Sequence, residues 1–336
     1  MSDLEFEDED YSPSESTLPR RESFIASAAE AGLRLDQFLA RRLPDVSRTR
    51  LAELAKAGLV QVGGRHAEPK LRLAGFERIE IEVPPRAEDM AFSPEPMDLA
   101  IVHADRDVLV LDKPPGLVVH PAAGNWQGTL LNGLLHFDPA LASVPRAGIV
   151  HRLDKDTSGL MVVARTEAAQ THLVRQLQAR TVSREYVAIA QGHIAAAVRI
   201  EAPIGRHSRQ RTRMAVVSEG QGGKFAATRV QPVEDLPAHT LIECQLETGR
   251  THQIRVHLQS IGHPLEGDTT YGAKPLNRHP AWQAAVQVFA RQALHARRLA
   301  FVHPGSGKEV TFESPLPTDF VRLLDILRHD PDGDAR

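Results

Sequence analysis

The sequence predicts an α+β protein in which a small N-terminal domain precedes a larger domain built on a mixed, mainly antiparallel sheet. Three observations support this fold class. Between residues 33 and 83, apolar residues recur first at helical spacing and then at strand spacing. A segment with four prolines follows, from Pro84 to Met97. After it, strand and helix patterns occur without the strict alternation that a doubly wound parallel sheet requires.

Two short helices and a small sheet are predicted for the N-terminal domain. Apolar residues in the segment Leu33–Leu43 have helical spacing, and Pro44 ends that helix. Ser47 is a suitable N-cap for a second helix, which ends at Gly58. The segment Ile79–Val83 alternates as a half-buried strand does. Five basic residues lie off the apolar stripe, and either solvate the surface or contact phosphates: Arg41, Arg42, Arg48, Arg50 and Lys56. Of these, Arg41, Arg48 and Arg50 are the candidates for RNA binding.

The proline-containing segment predicts a semi-rigid linker over residues 85–98, followed by a second domain over residues 99–325. Five strands are predicted in this domain, at residues 107–113, 160–166, 184–190, 241–247 and 299–304. Three helices are predicted at residues 129–136, 167–180 and 251–261. We expect the last residues, 326–336, to be a flexible tail.

Overall composition is that of a soluble globular protein. The 336 residues are 42% hydrophobic and 25% charged, and the single cysteine, Cys244, excludes an intrachain disulfide and a cysteine-based zinc site. The sequence contains no apolar run as long as a membrane span, and its acidic N-terminus differs from a signal peptide. We therefore expect a cytoplasmic protein with no membrane partner.

Charge is distributed unevenly along the chain. Residues 1–18 contain seven acidic residues and no basic one, and removing those charges from the net charge of −3 leaves +4. We expect residues 1–20 to be a disordered acidic tail and the fold to begin near Phe24. In contrast, the run Gly205–Arg213 has four arginines and no acid, which is typical of an exposed loop that contacts phosphates. Arg206 and Arg209 belong to this run.

The segment HRLDKDTSGL places two aspartates, Asp154 and Asp156, two residues apart. Its second half, Asp-Thr-Ser-Gly from Asp156 to Gly159, fits the signature of aspartic proteases. Protease chemistry needs two such carboxylates that share one proton, and the signature occurs once, so only a homodimer would supply the second. The predicted helices also differ from the small all-β architecture of the dimeric proteases.

A longer stretch around the same aspartates, RAGIVHRLDKDTSGLMVVART from Arg146 to Thr166, resembles the catalytic segment of the RluA family of RNA pseudouridine synthases. Further segments resemble this family in the expected order: LDKPPGLVVHPAAGNWQGTLLNGLL, REYVAIAQG, LETGRTHQIRVHLQSIGHPLEGDTTYG and RQALHARRLAFVHP. The resemblance covers about Ile101 to Pro317. In addition, the stretch Leu33–Pro84 resembles the alpha-L RNA-binding module, the S-four domain.

The resemblance implies a catalytic domain of pseudouridine synthase type, preceded by an S-four-like RNA-binding domain at residues 24–84. It implies that Asp154 is the essential aspartate, that Arg255 pairs with it, and that Tyr186 is the active-site tyrosine. It also implies that Arg152 enters the RNA where the target nucleotide is extruded. Arg250, at a predicted helix start, is expected to hold RNA backbone.

The same resemblance implies that the partner is ribosomal RNA of the large subunit or its precursor, modified at the 1911/1915/1917 stem-loop of 23S RNA. The reaction is redox-neutral and hydrolyses nothing, so we expect no cofactor and no metal, and a monomeric enzyme. Two alternatives stay open: a pseudouridine synthase that acts on another rRNA or tRNA site, and a catalytically silent RNA-binding factor of ribosome assembly.

Overall fold

The computed structural model describes residues 19–86, 90–122, 124–210, 212–272 and 279–329. The chain divides into two compact units between Ser93 and Pro94. Almost all of the predicted acidic tail and the last seven residues of the predicted C-terminal tail lie outside the described residues. Neither prediction is therefore tested over those parts.

The first unit combines two helices with a four-stranded antiparallel sheet in the order β1-β4-β2-β3. Its elements are β1 (Arg20–Ile25), α1 (Leu35–Arg42), α2 (Arg48–Lys56), β2 (Val60–Val62), β3 (Arg65–His66) and β4 (Arg78–Val83). Both helices match the predicted positions, and the Ser47 hydroxyl accepts the Arg50 N–H at 3.3 Å. One apolar core joins the helices to the sheet and includes Phe38, Leu51 and Ile79.

The first strand begins earlier than the sequence predicts. Strand β1 starts at Arg20, within the predicted tail, and pairs with β4 from the register Arg20↔Val83 onward. Its exposed and half-buried residues alternate, so only one face contacts the core. Pairing with β4, which local composition does not reveal, therefore extends the ordered chain ahead of Phe24.

The second unit contains eleven strands and five helices within the described residues. They are β5 (Ile101–Ala104), β6 (Val108–Lys113), α3 (Leu130–Phe137), β7 (Ser158–Ala164), α4 (Glu167–Ala179), β8 (Ser183–Gln191), β9 (Val198–Glu201), β10 (Ile204–Arg206), β11 (Met214–Val216), β12 (Ala227–Asp235), β13 (His239–Leu246), α5 (Gln253–Ser260), α6 (Pro280–Phe289), β14 (Leu294–Val302), β15 (Glu309–Glu313) and α7 (Thr318–Arg328).

Nine of these strands form one sheet in the order β5-β6-β7-β14-β8-β13-β12-β9, with β15 paired to β14. The pair β7–β14 is parallel and every other pair is antiparallel, so the prediction of a mixed, mainly antiparallel sheet is confirmed. Helix α4 covers β6 and β7, and helices α6 and α7 cover β8 and β13. The strands β10 and β11 form a separate hairpin.

The parallel junction accounts for the Ser-Gly that closes the segment HRLDKDTSGL. Ser158 and Gly159 pair with His295 and Ala296 at the start of β14. Gly159 has φ +115°, and a Cβ there would lie 2.3 Å from the Ala296 carbonyl oxygen. Only glycine permits both this backbone conformation and this approach. The Ser-Gly half of the protease-like signature is therefore explained by strand packing.

The predicted semi-rigid linker and the predicted flexible C-terminal tail are both partly packed against the second unit. Within the predicted linker, the Glu95 carboxylate accepts the Gly128 N–H, and a Cβ at Gly133 of α3 would lie 2.9 Å from the Met97 sulfur. The linker is therefore shorter than residues 85–98. At the C-terminus, α7 extends to Arg328 and buries Leu327 completely, so the tail begins later than residue 326.

No helix in the described part of the chain is both long enough and apolar enough to cross a membrane.

Candidate active site

A cavity of about 470 Å³ opens in the second unit between the loop before β7, the start of β8 and the N-terminal end of α5. Its lining comes mainly from three stretches of the chain, residues 150–157, 177–186 and 246–255. Five arginines and two carboxylates are among the lining residues. A cavity with this excess of positive charge is suited to an anionic ligand.

Of the two neighbouring aspartates, Asp154 lines this cavity and Asp156 does not. Arg255 donates from Nη1 to Asp154 Oδ2 at 2.9 Å. The other oxygen, Asp154 Oδ1, has no hydrogen-bond partner among the residues that the structure describes. Asp154 therefore presents one free carboxylate oxygen to the cavity region.

Asp156 contacts its surroundings through its backbone carbonyl group and not through its carboxylate. In the described parts of the chain that carboxylate has no hydrogen bond, and the contact at this residue is from Arg291 Nη1 to the Asp156 carbonyl oxygen at 3.3 Å. The turn is closed instead by the Thr157 N–H, which donates to the Asp154 carbonyl oxygen at 3.1 Å.

Arg255 is fixed by a second carboxylate that the sequence analysis did not identify. Asp268 accepts from Arg255 Nε at 2.7 Å and from Nη2 at 3.0 Å. Both side chains are buried, and the Arg255 guanidinium lies 5.0 Å from the centre of the Tyr271 ring. Burial alone would raise the pKa of Asp268, but the bonds from Arg255 and backbone N–H groups hold it below its usual value.

Tyr186 lines the same cavity from strand β8 and is 5% exposed. Its hydroxyl has no hydrogen bond to another described residue. Burial raises the pKa of Tyr186 to about 12, with Asp154 acting in the same direction and Arg184 against it. At neutral pH the phenol therefore keeps its proton and can donate it.

Two buried side chains support the loop that carries Asp154. Lys113 is fully buried and donates to the carbonyl oxygens of Pro114, Leu117 and Lys155 at 2.8, 3.0 and 2.9 Å. Burial lowers the pKa of Lys113 to about 7, against the opposing effect of the nearby aspartates. Three carbonyl acceptors match the three N–H bonds of an ammonium group, so Lys113 ties strand β6 to the loop.

His151 supports the loop from its other side. Its Nε2 accepts the Val162 N–H at 3.0 Å, which places the ring proton on Nδ1. Burial, together with the charge of Arg184, lowers the pKa of His151 to about 3. The ring is therefore neutral and structural.

The predicted RNA-binding arginines occupy different settings. Arg152 is exposed and lines the cavity, and Arg250 lines it while donating from Nε to the Phe225 carbonyl oxygen at 3.1 Å. Arg206 and Arg209 are exposed in the hairpin of β10 and β11. These four residues belong to the second unit.

In the first unit, Arg41 is exposed and forms no ion pair with a described residue. Arg48 is paired with the buried Asp36 at 2.9 Å, and Arg50 donates to the Pro84 carbonyl oxygen at 2.6 Å. Arg41 is thus the most available of the three candidate RNA-binding arginines in this unit.

Arg184 is a cavity residue to which the sequence analysis assigned no role. It is 8% exposed, and its side chain forms no hydrogen bond or ion pair with any residue that the structure describes. The sequence feature that could have identified Arg184 is its position in REYVAIAQG, two residues before Tyr186. Strand geometry puts the two side chains on one face of the sheet. Asp268 had a weaker signal, the turn-like composition of GDTTYG.

Outside the cavity, His103, Asp105 and His303 have potential metal-ligand atoms within 4.8 Å of one another. His303 Nδ1 accepts the N–H groups of Gly305 and Ser306, each at 3.1 Å. The ring proton therefore lies on Nε2, which donates to Asp105 Oδ2 at 2.7 Å. Because a metal would need this nitrogen deprotonated, the cluster is a hydrogen-bonding network and not a metal site.

Comparisons with known proteins agree with this architecture. The family model for RNA pseudouridylate synthase matches residues 107–260, and the S4 domain model matches residues 33–79. The chain is 55% identical over 302 residues to the ribosomal large subunit pseudouridine synthase D of Neisseria meningitidis serogroup A, covering 89% of this chain and 79% of the relative. It is 47% identical over 319 residues to the protein of the same name from Escherichia coli strain K12, covering 93% and 97%.

Among solved structures, the human RNA pseudouridylate synthase domain containing 1 is similar with a TM-score of 0.53 and 27% sequence identity, covering 75% of this chain and 95% of that one.

Proposed function

Because the chain belongs to the RNA pseudouridylate synthase family, we propose that it converts uridines of large-subunit ribosomal RNA to pseudouridine, at the 1911/1915/1917 stem-loop, with Asp154 as the essential carboxylate. The observation that carries the assignment of the aspartate is its place in the cavity, with one oxygen bonded to Arg255 and the other without a partner among the described residues. Asp156 lacks both features. The names of the relatives described above support large-subunit ribosomal RNA as the substrate.

In the proposed reaction the bond between ribose C1′ and uracil N1 breaks, the base rotates, and C1′ bonds to uracil C5. The hydrogen on C5 is lost as a proton and N1 gains one, so the reaction needs no oxidant or co-substrate. The free Oδ1 of Asp154 either attacks the nucleotide or removes a ribose proton. Arg255 holds the carboxylate in place for either route, because Asp268 fixes the guanidinium from the other side.

Tyr186 serves two purposes in this proposal. Its ring offers an aromatic surface on which the extruded base can stack. Its hydroxyl is protonated at neutral pH and lacks a described protein partner, so it is available to donate to the rotating base. Both the ring and the hydroxyl are parts of a cavity that a flipped nucleotide would enter.

Extruding a stacked base costs a few kcal/mol, which the enzyme must recover. Arg152 is exposed at the cavity and free to occupy the space that the uridine leaves, where its planar guanidinium can stack and bind phosphate. The S4 domain adds electrostatic attraction through Arg41 and its neighbours, and Arg206 and Arg209 add more in the second unit.

The test is release of tritium from RNA labelled at C5 of uracil, which reports the proton that pseudouridine formation expels. We would assay the wild type, Asp154→Asn and Asp156→Asn with a 23S fragment that contains the stem-loop, the same fragment without those uridines, and bulk tRNA. Release by the wild type and Asp156→Asn, abolished in Asp154→Asn, is expected on the first RNA alone.

Other outcomes would overturn separate parts of the proposal. Equal release from the fragment that lacks the three uridines, or preference for tRNA, would contradict the site. Full release by Asp154→Asn would contradict the role of that aspartate. If the wild type binds RNA but releases tritium from none of the RNAs, a catalytically silent assembly factor becomes the better interpretation.

A further inference from the structure

Arg184 is a buried cation whose side chain has no partner among the residues that the structure describes. It is 8% exposed, its Nε is fully enclosed without a hydrogen bond, and the described residues offer the guanidinium no ion pair. The cavity has two carboxylates, Asp154 and Glu247, and other arginines already bind both. A buried, unpaired guanidinium loses its hydration and gains no counter-charge, so it costs folding free energy.

The surroundings of Arg184 keep it in this position. The strand β8 places it two residues before Tyr186, so both side chains leave the same face of the sheet, about 7 Å apart along the strand. On the other side, a Cβ added to Gly249 would lie 2.7 Å from Arg184 Nη1. The absence of a side chain at residue 249 leaves room for the guanidinium beside the segment that leads into α5.

We propose that Arg184 binds an anionic oxygen of the nucleotide that enters the cavity. This inference rests on the proposed function, because the substrate supplies the counter-charge that the described residues do not. The cost of burying the cation is then offset when RNA binds or reacts, as in other preorganised sites. The same burial lowers the pKa of the Arg184 guanidinium, so a neighbouring anion would also stabilise its charged form.

The anionic oxygen has two possible sources that differ in timing. A phosphate of the RNA backbone is charged before the reaction, so its contact with Arg184 would strengthen binding of the substrate. A uracil oxygen becomes negative only when the C1′–N1 bond breaks and its electron pair stays on the base. That contact would lower the barrier and leave binding unchanged.

The experiment compares the wild type with Arg184→Met, which keeps the length of the side chain and removes its charge. We would measure the dissociation constant of the 23S fragment, the single-turnover rate at saturating RNA, and the melting temperature. Arg298→Met is the matched control, because Arg298 lies on the adjacent strand β14, pairs with Glu185 at 3.1 Å and does not line the cavity.

For Arg184→Met we expect the single-turnover rate divided by the dissociation constant to fall by at least about 100-fold. The melting temperature should be equal to or above that of the wild type. A phosphate contact predicts weaker binding and a salt slope reduced by about one, with the saturated rate preserved. A uracil contact predicts a slower saturated rate with unchanged binding. Arg298→Met should keep both binding and rate.

Gly249→Ala provides a second variant that keeps the charge but displaces the guanidinium. Whichever of RNA affinity or saturated rate falls in Arg184→Met should also fall in Gly249→Ala, by a smaller factor. Wild-type binding and rate in Arg184→Met would overturn the inference, as would an activity loss accounted for by a lower melting temperature, which indicates a structural role. An inactive wild type would instead overturn the proposed function, and so the two failures are distinguishable.

Discussion

Asp268 holds Arg255 through two parallel hydrogen bonds, of 2.7 and 3.0 Å, and leaves Nη1 of the guanidinium for Asp154. The two residues are 13 positions apart, on α5 and in the turn that follows it. The N–H groups of Thr270 and Tyr271 also donate to Asp268, each at 2.9 Å. Asp268 is therefore a positioning residue, which orients the arginine and not the substrate.

Asp268→Asn should slow the reaction and destabilise the protein together. An amide cannot accept both guanidinium bonds, so Arg255 loses its fixed orientation, and a displacement of about 1 Å at a reacting group can cost up to about 100-fold in rate. Breaking a buried pair costs about 3–5 kcal/mol. Single-turnover rates and urea unfolding midpoints test both effects.

Asp319→Asn is the control for that variant, because Asp319 binds Arg291 with the same pair of distances, 2.7 and 3.0 Å, away from the cavity lining. It should lower stability while the rate per folded molecule stays near that of the wild type. Equal rate losses in both variants would show that the orientation of Arg255 is unimportant.

Tyr186→Phe should reduce the saturated rate by about 100-fold or more, the usual size of a general acid–base contribution, and leave the affinity for RNA unchanged. The ring remains while the hydroxyl is lost. Tyr186→Leu, which removes both, should also weaken binding. A fully active Tyr186→Phe would restrict the residue to stacking.

The free energy of unfolding should decrease as the pH is lowered, in part because of His151. Its folded pKa of about 3 lies below the unfolded value of 6.5, so between these pH values the unfolded chain binds a proton that the folded chain does not. The contribution is therefore present above pH 6.5 and is lost as pH falls through about 3, at a slope of up to about 1.4 kcal/mol per pH unit.

His151→Gln tests this linkage, since the amide oxygen can still accept the Val162 N–H but does not titrate. Urea midpoints of the variant should depend less on pH between 6.5 and 4 than those of the wild type. Parallel curves for the two proteins would mean that His151 is protonated in the folded state.

In the S4 domain, Arg41→Gln should weaken RNA binding and reduce the slope of log affinity against log salt by about one. Arg41 is exposed and unpaired within the described residues, whereas its neighbour Arg42 is bonded to Glu30 at 3.0 Å and packs over the Phe38 ring. Arg42→Gln is therefore the comparison, and its salt slope should change less. Identical slopes for both would exclude a specific phosphate contact by Arg41.

Local sequence patterns, such as helix-capping residues and apolar runs, predicted much of the fold correctly. Pro44 and Ser47 delimit two helices, and apolar runs located the central strands β6, β7, β8 and β13 within a few residues. Strand β14 was predicted at 299–304 but begins at Leu294, because its first residues are ordered by pairing with β7 and β8. Local polarity does not reveal such pairing.

The sequence alone determined the family, the two-domain organisation and the candidate catalytic residues Asp154, Tyr186 and Arg255. These depend on sequence motifs that occur in a characteristic order. Only the tertiary structure decided which atoms meet. Arg255 and Asp154 are 101 residues apart, Asp268 occupies the remaining side of the guanidinium, and Arg184 has no described protein counter-charge. The physical reason is that local patterns specify backbone conformation and burial, whereas ion pairs between distant segments depend on how the sheet brings those segments together.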